Sequence, residues 1–115
     1  MYYIYIVRCA DDSLYTGIAS DIVRRMKEHL SRGAKCAKYT KLHPVVSMQA
    51  LFSCETRSDA SRLEADIKQL SRQQKQQLIS FEKTVADLLS QKLDPKLYQR
   101  LPVLSLMDLT ERTEL

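Results

Sequence analysis

Residues 13–29 read Ser-Leu-Tyr-Thr-Gly-Ile-Ala-Ser-Asp-Ile-Val-Arg-Arg-Met-Lys-Glu-His, and this stretch decides the fold. Leu14 to Ile18 is a short apolar and aromatic run, which reads as a strand. Ser20 or Asp21 offers a side-chain oxygen to cap a helix. Ile22, Val23, Met26 and Leu30 then fall on one helical stripe, and Gly33 ends it.

Working outward, Tyr2 to Cys9 is rich in Tyr, Ile and Val and reads as the partner strand, with Asp11-Asp12-Ser13 as the turn. Tyr3 and Tyr5 point to one side of the first strand, Tyr15 and Gly17 to one side of the second. For both sets to share a face, opposed residues must have numbers of matching parity. That requires an odd-length loop or a bulge around Asp11–Ser13. With Tyr5 opposite Gly17, the missing side chain would leave room for a phosphate between the tyrosines.

Downstream, Gly33 to Pro44 reads as a basic, irregular loop. Val45 to Cys54 reads as a third strand with Val46, Met48, Ala50 and Phe52 alternating inward. Ser58 would cap a second helix, Asp59 to about Leu70, with Ala60, Leu63, Ile67 and Leu70 toward the core. Ser71 with Gln74 has the form of a capping box and restarts the chain as a helix near Arg72. Leu78, Phe81, Val85, Leu88 and Leu89 give a further apolar helical stripe. Asp94-Pro95 looks like a cap with proline at the first helical position, and Ser105 with Asp108 would start a last short helix.

The expected fold is therefore α/β of the α+β kind. It has a small three-stranded antiparallel sheet flanked by helices, in the order β-β-α-β-α-α, with a helical C-terminal extension. Residues 1–82 are expected to form the domain. Residues 83–115 form the extension, packed on the domain or used for interaction with a second copy or another protein.

The 115 residues suffice for one modest core. No apolar run is long enough to span a bilayer, and Met1 to Val7 reads as a buried strand rather than a signal peptide. Cys9, Cys36 and Cys54 form no CxxC pair, so a disulfide framework or zinc site is not expected, and a cytoplasmic setting is the simplest. The net charge is +4. Residues 83–115 balance at five basic and five acidic, so the excess lies upstream. From Arg24 to Lys41, seven basic residues face one acid, Glu28. Such a stripe suits a polyanion such as nucleic acid.

Four features now line up. The first strand carries Tyr3-Ile4-Tyr5, and the second carries Tyr15-Thr16-Gly17. The first helix carries Arg25 and His29, one turn apart and so on one face. The second helix carries Glu64. With Lys38-Tyr39-Thr40 and Ser58 to Lys68, this ordered set resembles the GIY-YIG nuclease superfamily, in its small single-domain bacterial form, over residues 1 to about 82.

The resemblance implies a metal-dependent endonuclease that hydrolyses DNA phosphodiester bonds, with repair or recombination as the expected setting and RNA still open as a substrate. Tyr5, Tyr15, Arg25, His29 and Glu64 would be its catalytic residues, with Tyr3 and Gly17 completing the motif. One of the two tyrosines would deprotonate or position the attacking water. A free tyrosine is a poor base at neutral pH, so a nearby metal and arginine would have to lower its pKa. Arg25 can donate two hydrogen bonds to a phosphate. His29 can hydrogen-bond the tyrosine or the water. Glu64 would hold one Mg²⁺ or Mn²⁺ ion, weakly bound without substrate, because a single carboxylate suits an ion that keeps its waters. Asp66 and Glu55 are alternative ligands. Arg24, Lys27, Arg32, Lys35, Lys38, Tyr39 and Lys41 would meet the nucleic-acid backbone.

Tyr3 stands where the family name has glycine, and Thr16 where it has isoleucine. The distal asparagine used by some members has no counterpart, since the chain contains no asparagine. Two other readings stay open. One is a nucleic-acid-binding module of the same fold without cleavage. The other is a scaffold acting through its C-terminal helices.

Overall fold

The hairpin of β1 (Tyr2–Cys9) and β2 (Leu14–Ala19) organises the molecule. Tyr5 lies opposite Gly17 and Val7 opposite Tyr15, so the matching parity holds. The odd loop that it requires is there. Cys9 N–H donates to Ser13 O and Asp12 N–H to Cys9 O, both at 2.9 Å. Asp12 takes φ 68°, the left-handed residue that closes such a loop.

The computed structural model describes residues 1–31 and 38–107. After the hairpin come α1 (Ile22–Ser31) and a short α2 (Lys38–Leu42). β3 (Val45–Cys54) leads to α3 (Arg57–Lys68), α4 (Arg72–Ile79) and α5 (Val85–Leu89). A 3-10 turn at Pro95–Leu97 precedes β4 (Gln99–Leu101). Gly33, Arg32, Lys35, Cys36 and Asp108 lie outside the described residues, so the expected end of α1 does too; of the expected last helix, Leu106 and Met107 are described and are helical.

The expected three-stranded sheet is corrected. The described residues form a four-stranded antiparallel sheet in the order β2-β1-β3-β4, with five α-helices. β4 comes from the segment expected to be a helical extension. Its three residues are too few to show an alternating pattern, and Pro102 follows directly. Pairing with Leu51, Phe52 and Ser53 makes it a strand. α2 replaces part of the expected loop. Its sequence, Lys-Tyr-Thr-Lys-Leu, carries too little apolar repeat to announce a helix.

Expected details of β3 and α3 also change. β3 does not alternate throughout, because its register against β1 shifts between Ile6 and Val7 and again between Arg8 and Cys9. These shifts leave Gln49 and Val46 without an opposed residue. Val46 is 43% exposed, while Met48 and Phe52 serve opposite faces. The cap of α3 is Thr56 rather than Ser58, its hydroxyl accepting from Asp59 N–H. The capping box of Ser71 and Gln74 forms as expected. The stripe from Leu78 to Leu89 is broken at Phe81, which is 68% exposed with φ 66°.

β1 is covered on both sides. Ile4 and Ile6 meet Leu63, Ile67, Leu78 and Leu89 from α3 to α5. Tyr5, Val7 and Cys9 meet Ile22 and Met26 of α1, with Met48 and Leu106. Each large apolar side chain removed from water in this way contributes about 1.5–3 kcal/mol before entropy is counted. No helix among the described residues is long and apolar enough to cross a membrane.

Candidate active site

α1 starts where Asp21 Oδ1 accepts Arg24 N–H at 3.1 Å. The helical repeat then turns Met26 and His29 onto the sheet, and both are fully buried. Val23, expected on this stripe, is instead exposed. His29 meets Tyr5 there, with Nε2 2.7 Å from the phenolic oxygen. Its other nitrogen, Nδ1, lies 2.8 Å from Thr40 Oγ1 of α2. Arg25, one turn before His29, donates to the Tyr5 hydroxyl and also to Glu28 Oε1 at 3.0 Å.

Gly17 is where the sheet accommodates Tyr5. A Cβ on Gly17 would lie 2.6 Å from Tyr5 Cζ, and closer still to the hydroxyl. The expected space for a phosphate beside Gly17 is therefore filled by the Tyr5 ring itself.

The aromatic rings gather around this point. Tyr5 and Tyr15 have centroids 6.4 Å apart, and His29 stands edge-on to both, at 5.6 and 5.8 Å. Tyr39 stacks on Tyr15 at 5.6 Å, and His43 stacks on Tyr39 at 4.1 Å. His43 Nδ1 is tied to Asp11 Oδ2 in the hairpin turn, 2.5 Å away.

Glu64 approaches from α3. Its charge acts on the Tyr5 hydroxyl, and its Oε2 lies 3.8 Å from Lys68 Nζ. Lys68 Nζ is 5.8 Å from the Tyr15 ring centre. The two alternative ligands lie elsewhere. The charge of Asp66 acts on Tyr98, and Glu55 borders a cleft with Lys96 and Leu97.

Burial sets the electrostatics. It pushes the Tyr5 phenol well above its ordinary value, against the hydrogen bond from Arg25. The tyrosine thus stays protonated, opposite to the lowering that a catalytic base requires. Burial, helped by the Arg25 charge, pushes His29 down to about 4, so the imidazole is neutral at pH 7. Arg25 is strengthened as a cation by Glu28 and Tyr5, against its own burial.

The structure thus brings Tyr5, Tyr15, Arg25, His29 and Glu64 together. Tyr3 sits on the same sheet face but packs into the core beside α1. Arg24, Lys27, Lys38 and Lys41 are exposed, and Tyr39 joins the ring stack. Arg32 and Lys35 lie outside the described residues.

A family model of the GIY-YIG catalytic domain matches residues 1–90. The chain belongs to the GIY-YIG family. The GIY-YIG domain is a nuclease-type fold, and the clustered residues occupy it here. The UPF0213 protein FN1575 of Fusobacterium nucleatum is 49% identical over 79 residues, 69% of this chain and 77% of that protein. The UPF0213 protein SSP2268 of Staphylococcus saprophyticus is 46% identical over 79 residues, 69% of this chain and 94% of that one. The solution NMR structure of the UPF0213 protein BH0048 from Bacillus halodurans is 38% identical, covering 82% of this chain and 98% of that one, with a TM-score of 0.46.

Sequence reading gave no role at this GIY-YIG site to Thr40, Glu28, His43 or Asp11. Glu28 had a signal, as the one acid in a basic run and three residues after Arg25. Thr40 lies within the segment already similar to the family. His43 and Asp11 meet across 32 positions, a pairing that no local pattern announces.

Proposed function

We propose that this chain is a metal-dependent nuclease that hydrolyses DNA phosphodiester bonds. The observation that carries the reading is the convergence of five residues from four elements on one point. Tyr5 is hydrogen-bonded to His29 and Arg25, Tyr15 lies beside them, and Glu64 acts on the same hydroxyl.

The donor set fits a hydrated divalent ion. Among the described residues no three acidic, histidine or cysteine side chains gather as a metal cage, and Glu64 is the carboxylate of α3 whose charge acts on Tyr5. One carboxylate suits Mg²⁺ or Mn²⁺, which retain most of their waters until a phosphate arrives. When bound, the ion supplies Lewis acidity and an acidified water.

The chain's own residues do the rest. Arg25 is a permanent cation with a planar fork, placed to turn from Glu28 toward the charge developing on the phosphoryl oxygens. Tyr5, buried and protonated, acts by position, as the bridge between Arg25 and His29. Tyr15 is half-buried on the same face, and we read it as the tyrosine that meets the attacking water. Arg24, Lys27, Lys38 and Lys41 hold the backbone, together with Arg32 and Lys35. Buried free thiols at Cys9 and Cys54 suit a reducing cytoplasm, and repair or recombination is the process such a cut serves. The described part of the extension, residues 83–107, is read as staying packed on the domain, with β4 in its sheet and Val85, Leu89 and Leu93 in its core.

The test is cleavage of labelled single-stranded, duplex and branched DNA, with matched RNA, in Mg²⁺ or Mn²⁺. Wild type is compared with Glu64→Ala and Arg25→Ala. Metal-dependent cutting that falls in both variants supports the reading. Equal trace cutting in all three proteins marks a contaminant and sinks it. Salt-dependent binding without cutting leaves a nucleic-acid-binding module of the same fold.

A further inference from the structure

We infer that Thr40 is a positioning residue, which receives the proton that His29 carries on Nδ1 and so supports the tautomer whose Nε2 accepts the Tyr5 hydroxyl. Thr40 and His29 are both fully buried, and the ring is held at each nitrogen, by Thr40 Oγ1 at 2.8 Å and by the Tyr5 oxygen at 2.7 Å.

A neutral imidazole carries one N–H, and two arrangements are conceivable. In the first, Nδ1–H donates to Thr40 and the Tyr5 O–H donates to Nε2. In the second, Thr40 donates to Nδ1 and Nε2–H donates to Tyr5. Arg25 separates them. A guanidinium has no acceptor atom, so Arg25 only donates to the Tyr5 oxygen. In the second arrangement that oxygen would receive two donors, and its own proton would have to point away from both. Tyr5 is 1% exposed, so this proton would be a buried donor left unmatched, which is costly. The first arrangement matches the Tyr5 proton with Nε2 and leaves the Tyr5 oxygen to accept from Arg25. The Thr40 hydroxyl, which rotates, accepts from Nδ1 and turns its proton elsewhere.

α2 is set to hold Thr40 in place. Tyr39 is stacked on Tyr15 on one side of it, and His43, just past the helix, is stacked on Tyr39 and tied to Asp11. The line Arg25–Tyr5–His29–Thr40 therefore runs in one donor direction from surface charge to buried hydroxyl. It keeps the Tyr5 oxygen facing the guanidinium as an acceptor.

The inference rests on the nuclease reading only in its activity arm. The chain has two histidines, so nitrogen-15 NMR of the ring nitrogens is simple to assign, with His43→Gln identifying the His29 signals. We expect a pyrrole-type Nδ1 and a pyridine-type Nε2 in wild type and in Thr40→Ser. In the isosteric Thr40→Val, the signals should shift toward mixed or reversed tautomers, and cleavage should fall roughly 10- to 100-fold. Thr40→Ser should restore most of it. A proton on Nε2 in wild type overturns the inference. So does a Thr40→Val protein with the wild-type tautomer and wild-type cleavage. If wild type cuts no nucleic acid, the nuclease reading fails while the spectra still decide the role of Thr40.

Discussion

The two faces of β1 carry the same strand into different chemistry. Ile4 and Ile6 enter a cluster of hydrophobic side chains from α3, α4 and α5. Tyr5, one residue between them, enters a region where His29 and Thr40 are also fully buried. On the first face, burial itself stabilises and the partners are interchangeable in kind. On the second, each buried polar atom requires a particular partner, because an unmatched one costs more than a matched one contributes. One face therefore holds the fold, and the other holds a geometry.

The sharpest way to break that contrast is a crossed pair of substitutions. Arg25→Ala should lower cleavage by about 10²–10³-fold, as for loss of a charge-stabilising donor. It should change stability by only about 1 kcal/mol, since its ion pair with Glu28 is partly exposed. Leu78→Ala, on the apolar face, should do the reverse. It should lose about 2–5 kcal/mol of stability and keep its cleavage per folded molecule. Denaturant melts and cleavage rates on the same preparations check both. If each variant loses both properties equally, the faces are not separable.

The next effect belongs to the polar face alone. His29 titrates near 6.5 when unfolded and is pushed down to about 4 by burial when folded. Between these values the unfolded chain binds more protons, so stability rises with pH. It is complete above about 6.5 and declines as pH falls toward 4, by ~3 kcal/mol in all. His29→Gln should flatten this part of the stability profile, whereas Leu78→Ala should shift the whole profile down and keep its slope. A His29→Gln profile as steep as that of wild type would mean that the imidazole is not buried neutral.

What the sequence made legible follows the same division. Tyr5 opposite Gly17 could be read because a strand repeats every two residues, and a shared face then forces an odd loop at Asp11–Ser13. Arg25 and His29 could be read because helical neighbours four apart share a face. β4 could not, because its three residues gain strand character only from pairing with β3. The register shifts that free Val46 and Gln49 arise from how β3 meets β1, and no local preference encodes them. Thr40 was invisible as a partner because its contact with His29 spans 11 positions and two elements. The filling of the Gly17 notch by Tyr5 was also hidden, since strand parity gives the facing but not the tilt of a ring.

That notch gives a smaller effect. Gly17→Ala would place a methyl group 2.6 Å from Tyr5 Cζ, so the ring or the edge strand β2 must move. Overpacking of this kind costs about 1–3 kcal/mol. The displaced ring also loses its alignment with His29, so cleavage should fall by more than the stability loss explains. A Gly17→Ala protein with the wild-type melt and rate would show that the notch is not tight.

The smallest effect should come from the exposed polar pair beside the site. Asp11 and His43 lie at hydrogen-bond distance, but both side chains are substantially open to solvent. Exposed pairs are screened by water and salt and contribute little, unlike the enclosed contacts of His29. The turn hydrogen bonds from Ser13 are the leading reason that the Asp11 carboxyl is held down to about 2, with His43 a lesser one. Removing the charge in Asp11→Asn should leave the melt unchanged and slow cleavage by less than about fivefold. The difference from wild type should shrink in high salt. The stacking of His43 on Tyr39 and of Tyr39 on Tyr15 does not depend on that charge, so α2 should stay seated over Tyr15. A large, salt-independent loss in Asp11→Asn would count against this division. It would mean that α2 is held by its ion pair rather than by its rings, and that the polar geometry of the site extends out to the hairpin turn.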